Sequence, residues 1–357
     1  MNAANGPLTH GPPATRILST SFKDLPKALL HEHLDGGLRP ATLLDLCRAQ
    51  NLATPVDDAR QLGDWMLANA HSGSLERYLR GFSLTVQAMA SSAACERVAF
   101  EAAEDAHLDG CVLAEFRMAP LLLEPFGLSG EAVVEALLAG LQKSALPCGL
   151  IVCAMRTDSP DETLRAAELA ARYRGHGVIG FDLAGAERGF PPGAHAKAFA
   201  HARDAGLGLT CHAGEADVGS RVLEAAALGA TRIGHGVHIM LGADAAQYAE
   251  WVAQARELGL HFEVCPSSNV HTGAVASLAE HPIRAMLEAG LSVSCSTDNR
   301  LMSGVTLSGE LEAIHDALGV GHDQLAQMMR NAVAASFMPI DARDACMLAM
   351  QQWNTAP

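Results

Sequence analysis

Eight short apolar runs, each followed by a helical pattern, limit this chain to very few architectures. The runs fall at 27–34, 110–118, 149–155, 178–183, 207–212, 231–236, 261–265 and 291–297, and are rich in Val, Ile and Leu. Apolar strands alternating with helices are the pattern of repeated βα units around a parallel sheet. Helical patterns over 40–49 and 75–106 fill an unusually long gap between the first two runs, and others at 310–317 and 322–336 close the chain. Eight units predict an α/β chain folded as one (β/α)8 TIM barrel, with extra helices between strands 1 and 2 and at the C-terminus. A doubly wound open sheet is the competing arrangement, but its GxGxxG turn after the first strand is missing. Residues 1–22 are rich in Pro, Gly, Ser and Thr without periodicity and read as a flexible N-terminal arm. Residues 23–357 read as a single barrel domain, a size that such barrels commonly reach.

The polar residues of these runs sit at their C-terminal ends, which in a barrel converge on one face. The first run ends at His31-Glu32-His33. Side chains alternate along a strand, so both imidazoles point to one face and Glu32 to the other. The fifth ends at His212, with the carboxylate of Glu215 shortly after it, and the sixth at Gly234-His235-Gly236, where glycines leave the imidazole unobstructed. The eighth ends Ser296-Thr297-Asp298-Asn299, and a carboxylate after a buried run needs a partner. One such histidine alone would be an incidental polar residue. Imidazoles and a carboxylate gathered from four strand ends suit Zn²⁺, with a further position open to an exchangeable water. Cys265-Pro266-Ser267-Ser268-Asn269 holds a lone cysteine and reads as scaffold. His238, His261, His271 and His281 read as surface residues or as supports behind the site, and 302–304 as a loop at the barrel mouth.

Charge narrows the ligand. A formal net charge of -15, with only four lysines, is unsuited to gripping nucleic acid. A neutral small molecule held by hydrogen bonds and apolar contacts in a cleft remains compatible with it. The nine cysteines are scattered without a CxxC pair and read as reduced core residues. No apolar stretch is long enough to span a bilayer and the N-terminus lacks an apolar signal segment, so the expectation is a cytoplasmic protein with no membrane partner.

HEHLDGGLRP, FDLAGAE, CHAGE, RIGHG, CPSSN and STDN, in that order from His31 to Asn299, resemble the motifs of the adenosine deaminase family. LAEFRMAP, IVCAMR and NAVAASF extend the resemblance over nearly the whole chain after the arm. The resemblance implies one Zn²⁺ per chain, held by His31, His33, His212 and Asp298. It implies hydrolytic deamination of a small-molecule purine nucleoside: adenosine, and 2′-deoxyadenosine, converted to inosine and ammonia. In that reaction a water activated by the metal attacks purine C6, Glu215 protonates N1 and His235 orients the water. Glu215 must then carry a proton, so burial is expected to raise its pKa, and His235 is expected to stay neutral.

By the same resemblance Asp35 meets the ribose, Gly185 offers its N–H to purine N3, and Asn299 stands at N7, where the more familiar family pattern has aspartate. An amide donates to N7 outright, whereas a carboxylate does so only when protonated. Adenine, methylthioadenosine and aminofutalosine are alternative substrates within the family, and Asp35-Gly36 favours adenosine. The HxE and PCxxC motifs of another class of zinc deaminase are absent. The fourth run leads into Leu183-Ala184-Gly185 without the lysine that a two-metal relative needs. A catalytically silent nucleoside-binding relative would be expected to lack a ligand or the acid, and here all are in place.

Overall fold

The computed structural model describes residues 22–242 and 244–355, with side chains to residue 352. Its centre is an eight-stranded sheet whose strands follow the sequence order. They are β1 (Lys27–His33), β2 (Cys111–Met118), β3 (Cys148–Met155), β4 (Val178–Ala184), β5 (Gly208–Ala213), β6 (Arg232–His235), β7 (His261–Val264) and β8 (Ser292–Cys295). Every neighbouring pair is parallel. The ring closes through a bridge between Glu32 and Asp298. The Asp298 N–H donates to His31 O at 2.9 Å, and the His33 N–H donates to Asp298 O at 2.7 Å. Closure is therefore made by a residue beyond β8, and it lands between two histidines.

β1 carries an irregularity just before them. Leu29 pairs with Ala114 and Glu32 with Phe116, so β1 has an extra residue there. A bulge of this kind bends a strand and re-aims its side chains. The strand ends at His33, and Leu34–Gly36 is a tight 3-10 turn. The expected first and eighth runs both overshoot their strands, because the backbone leaves the ladder where it turns polar side chains inward.

Between β1 and β2 lie the helices Pro40–Ala49, Ala59–Ala70, Leu75–Arg80, Phe82–Ala88 and Ser92–Leu108. The periodic stretch 75–106 is thus not one helix. Gly81 interrupts it, and Ser91 starts a new helix by accepting the Ala94 N–H on its hydroxyl. The helix Ala59–Ala70, which the apolar pattern does not announce, begins at Asp58, whose carboxylate accepts the Gln61 N–H at 2.9 Å. After β8 come Leu307–Leu318, His322–Ala335 and Ile340–Thr355. The expected loop at 302–304 is instead part of a helical turn, Arg300–Ser303, which Gly304 ends in the left-handed region. Residues 1–21 of the expected arm lie outside the described residues. Phe22 is partly buried against the core and stacks on His322, with ring centroids 5.5 Å apart.

The barrel interior is apolar only in part. Glu115, Arg117, Arg232 and Glu263 are buried inside it and pair with one another. Ser336 Oγ and the Phe337 N–H donate to Glu115 Oε1, each at 2.6 Å, and the Arg232 guanidinium lies 3.9 Å from the centre of the Phe337 ring. The C-terminal helices are tied in this way to the charged layer beneath the site. All nine cysteines are free, and no helix among the described residues is long and apolar enough to cross a membrane.

Candidate active site

His31, His33, His212 and Asp298 each turn one ligand atom toward a common point, all within 4.8 Å of one another. His33 Nε2 and His212 Nε2 are 3.1 Å apart, and Asp298 Oδ1 lies 3.3 Å from His31 Nε2 and 3.5 Å from His33 Nε2. The opposite ring nitrogens decide what these atoms can do. His31 Nδ1 is 2.9 Å from Glu263 Oε2, and His212 Nδ1 is 3.1 Å from Asp182 Oδ2. A carboxylate accepts, so each Nδ1 carries a proton and each Nε2 is the ring atom that can present a lone pair to an ion. His31 Nε2 is buried without a hydrogen-bond partner.

A cation resolves this crowd of lone pairs. Bonds of about 2.0–2.1 Å to nitrogen and oxygen place neighbouring ligand atoms roughly 3 Å apart, and three imidazoles with a carboxylate suit a first-row divalent ion. Ser268 Oγ donates to Asp298 Oδ2 at 2.6 Å, which occupies one carboxylate oxygen and leaves Oδ1 facing the histidines. Asp298 has φ +59° and His235 φ +62°. Both lie in the left-handed region that side-chain-bearing residues rarely adopt, at a cost of about 1–3 kcal/mol each. The closure hydrogen bonds to β1 hold Asp298 in that conformation.

Glu215 stands on the loop that follows β5. The N–H groups of Gly214, Glu215, Ala216 and Asp217 all donate to the buried carboxylate of Glu187, at 2.6 to 3.1 Å. Burial, then the nearby negative charges of Asp298 and Glu187, push the Glu215 carboxyl well above the usual glutamate range. His235 Nε2 lies 3.7 Å from Glu215 Oε2, and burial holds this imidazole well below the usual histidine range. Burial thus favours the protonated acid and the neutral imidazole, which stand side by side.

Above them opens a cavity of about 680 Å³. His33, Asp35, Gly185, His212, Glu215, His235, Asp298 and Asn299 line it, while His31 sits behind the others. The opposite wall is largely apolar and includes Leu75, Phe82, Val86, Leu122 and Met155. Asp35 Oδ1 and Asn299 Oδ1 are buried without partners. Burial, opposed by a backbone hydrogen bond and reinforced by the Asp298 charge, raises the Asp35 carboxyl to about 7. Glycine is required at 36, where a Cβ would lie 1.9 Å from Asn299 Oδ1. Gly185, with φ +96°, brings bare backbone to the cavity wall.

The description of the matching family is Adenosine deaminase, and its model covers residues 26–353 of this chain. The chain is 44% identical over 334 residues to an adenosine deaminase of Mycobacterium tuberculosis H37Rv, across 89% of this chain and 91% of that one. The chain belongs to the adenosine deaminase family. Among solved structures, an adenine deaminase from Arthrobacter aurescens superposes with a TM-score of 0.83 at 25% identity, covering 93% of this chain and all of that one. An amidohydrolase from Burkholderia ambifaria, solved with bound zinc, gives a TM-score of 0.82 at 25% identity, covering 95% of this chain and 94% of that one. Both likenesses accord with the barrel described above. The adenosine deaminase family is metal-dependent, and the cluster at His31, His33, His212 and Asp298 is the place in this member where an ion fits.

All nine residues singled out from the sequence meet in this one region. The strand-end reading passed over their supports. Asp182 sits in FDLAGAE and carries a signal of its own, a carboxylate inside an apolar strand; Glu263 in the middle of β7 carries the same one. Ser268 and Asn269 belong to the CPSSN segment, which reads as scaffold, yet one holds Asp298 and the other contacts His235. His281 and His261 are buried, not surface residues. His281 bonds Asn269, and His261 lies between Ser292 and Ser294.

Proposed function

We propose that this member of the adenosine deaminase family hydrolyses adenosine, and 2′-deoxyadenosine, to inosine and ammonia with one zinc ion per chain. The observation that carries this reading is the convergence of imidazole lone pairs beside a buried Glu215, whose carboxyl burial pushes up, on one cavity wall. His31, His33, His212 and Asp298 would hold the ion. Bound zinc makes a hydroxide equivalent available near neutral pH.

The chain's own groups do the rest. Glu215 gives its proton to purine N1, so the ring accepts the electrons displaced as oxygen bonds to C6. His235 holds the attacking oxygen and stabilises its charge. The attacking water gives up both its protons, one restoring Glu215 and one going to N6, so the C6–N6 bond breaks and the amino group leaves as ammonia. Asp35 takes the ribose, the Gly185 N–H meets N3, and Asn299 faces N7. The partnerless oxygen of Asp35 supports its assignment, because a buried acceptor without a partner is costly unless a ligand hydroxyl satisfies it.

Ultraviolet-monitored turnover of adenosine, 2′-deoxyadenosine, adenine and methylthioadenosine, with metal analysis of the same preparation, tests the proposal. Adenosine is expected to be converted fastest, with one zinc per chain. Faster turnover of adenine would move the protein to the chemistry named for its Arthrobacter aurescens neighbour, and no inosine from the zinc-loaded protein would overturn the reading.

A further inference from the structure

His235 faces the cavity with one ring nitrogen and the protein interior with the other. Its Nδ1 lies 3.0 Å from Asn269 Nδ2, Asn269 Oδ1 lies 3.1 Å from His281 Nε2, and His281 Nδ1 lies 3.1 Å from the Ile283 main-chain nitrogen. All three side chains are buried. The chain of contacts has only one consistent direction. A main-chain N–H can only donate, so His281 Nδ1 holds a lone pair. A neutral imidazole with a lone pair on one nitrogen carries its proton on the other, so His281 Nε2 donates to the Asn269 oxygen. The amide nitrogen then faces His235, and because it can only donate, His235 Nδ1 holds a lone pair too. The proton of neutral His235 is left on Nε2, on the side of Glu215. Burial keeps His281 neutral, its imidazole lowered to about 3.

We infer that Asn269 and His281 are positioning residues that fix His235 as an Nε2–H donor toward the reacting oxygen. The inference rests on the deamination proposed above for its meaning, but the tautomer itself follows from the Ile283 N–H. His31 and His212 show the opposite arrangement: carboxylates at their Nδ1 atoms place lone pairs at Nε2. A lone pair binds a cation, and an N–H holds an oxygen that is gaining negative charge. One residue type is thus given two tasks by what stands behind it. His235 so arranged has no lone pair at Nε2 with which to take a proton from water.

The test uses the full-length, zinc-loaded protein with ¹⁵N-labelled histidine. Long-range ¹H–¹⁵N correlation reports which ring nitrogen of His235 carries the proton, the signal being assigned by its loss in His235→Asn. The wild type is expected to show a bare Nδ1 and a protonated Nε2. His281→Gln keeps a donor for the Asn269 oxygen and should retain the tautomer and near-normal turnover. His281→Leu lets the amide turn over, and kcat should fall about 10–100-fold with KM and zinc content unchanged, as for partners that orient active-site ligands. Should His281→Leu fail to fold, Asn269→Asp places an acceptor behind the ring and is expected to move a proton onto Nδ1. A protonated Nδ1 in the wild type, equal kcat in the two His281 variants, or a bare Nδ1 in Asn269→Asp would each overturn the inference. Absence of inosine formation by the wild type would instead overturn the proposed function and leave the tautomer readout standing.

Discussion

The floor of the barrel and the cavity above it use the same residue types to opposite ends. On the floor, Arg117 donates to Asp182 at 2.9 Å, to Glu263 at 2.5 Å and to Leu30 O at 2.8 Å, while Arg232 donates to Glu263 and Glu115, each at 2.5 Å. Burial alone would raise Asp182 and Glu263, but the guanidinium and imidazole neighbours hold both well below the usual carboxylate range. In the cavity, Asp35 has no such cation and the pull of Arg156 on Glu215 is outweighed by burial, so both are pushed up instead. Partnerless polar atoms stand at or just behind its wall as well, at His31 Nε2, Asp35 Oδ1 and Asn299 Oδ1, against Arg117 Nε alone among those floor residues. The charged layer fixes the histidines from below, and the layer above is left incomplete for an ion and a ligand to finish.

The largest expected effect lies on the incomplete side. Glu215→Gln removes the proton donor and keeps the shape, so turnover should fall about 10²–10⁴-fold while zinc content stays the same. Steady-state rates beside metal analysis check this, and undiminished activity would remove Glu215 from the chemistry. The matching change on the floor is Asp182→Asn. It weakens the hold on His212 Nδ1, and zinc affinity should fall about 10–100-fold, read by competition with a chelator. It also strips a charge from Arg117. Breaking a buried pair costs about 3–5 kcal/mol, and because Arg117 keeps Glu263 the loss in denaturant unfolding should sit at the lower end. A variant that loses neither metal nor stability would erase the contrast between the two layers.

How much of this contrast could be read from the sequence follows from the kind of interaction. The strands were legible as apolar runs, and His31, His33, His212, Glu215, His235 and Asp298 because they stand at or just past the ends of such runs, which a barrel gathers. Asp35, Gly185 and Asn299 were legible as substrate contacts only through the resemblance to the family. The supports are long-range pairings that leave no local pattern. Glu263 is 232 residues from His31, and Asn269 is 34 from His235. Their only local trace is a polar residue where an apolar one is expected. The break at Gly81 and the new start at Ser91 were hidden for another reason: the apolar period runs on through both, and only the cap chemistry marks the boundary. That Asp298 closes the ring through its own backbone could not be read from the run 291–297 at all.

Glu310 offers a smaller test, of a carboxyl outside both layers. It is buried, accepts the Ser267 N–H at 3.1 Å through one oxygen, and has no partner on the other. Burial, opposed by the bonds to Ser267, raises it from the ordinary 4.5 to about 7. The folded state therefore keeps this proton over a range where the unfolded chain has lost it. Its contribution, on the order of 3 kcal/mol at most, is full below the ordinary glutamate value and is lost as pH rises through about 7. Glu310→Gln stays neutral and can still accept from Ser267. It should unfold like the wild type near pH 5 and be the more stable of the two at pH 8; equal pH dependence in urea titrations would show that Glu310 is not held neutral.

The smallest change separates charge from geometry at the acid itself. Four backbone N–H groups converge on the Glu187 carboxylate, and its charge is one of the causes that lift Glu215. Glu187→Gln keeps the size but turns an NH₂ toward those donors, so the loop loosens. Turnover should drop roughly tenfold, the worth of one charge-assisted hydrogen bond of about 1.5 kcal/mol. The charge is lost as well, which lowers Glu215. An acid that must be protonated to act then loses its proton at lower pH, and the alkaline fall of kcat should move toward neutrality. Glu187→Asp keeps the charge on a shorter arm, so it should slow turnover without moving that limb. If Glu187→Gln slows the enzyme and leaves the limb in place, the carboxylate serves only to shape the loop, and Glu215 owes its proton to burial and Asp298.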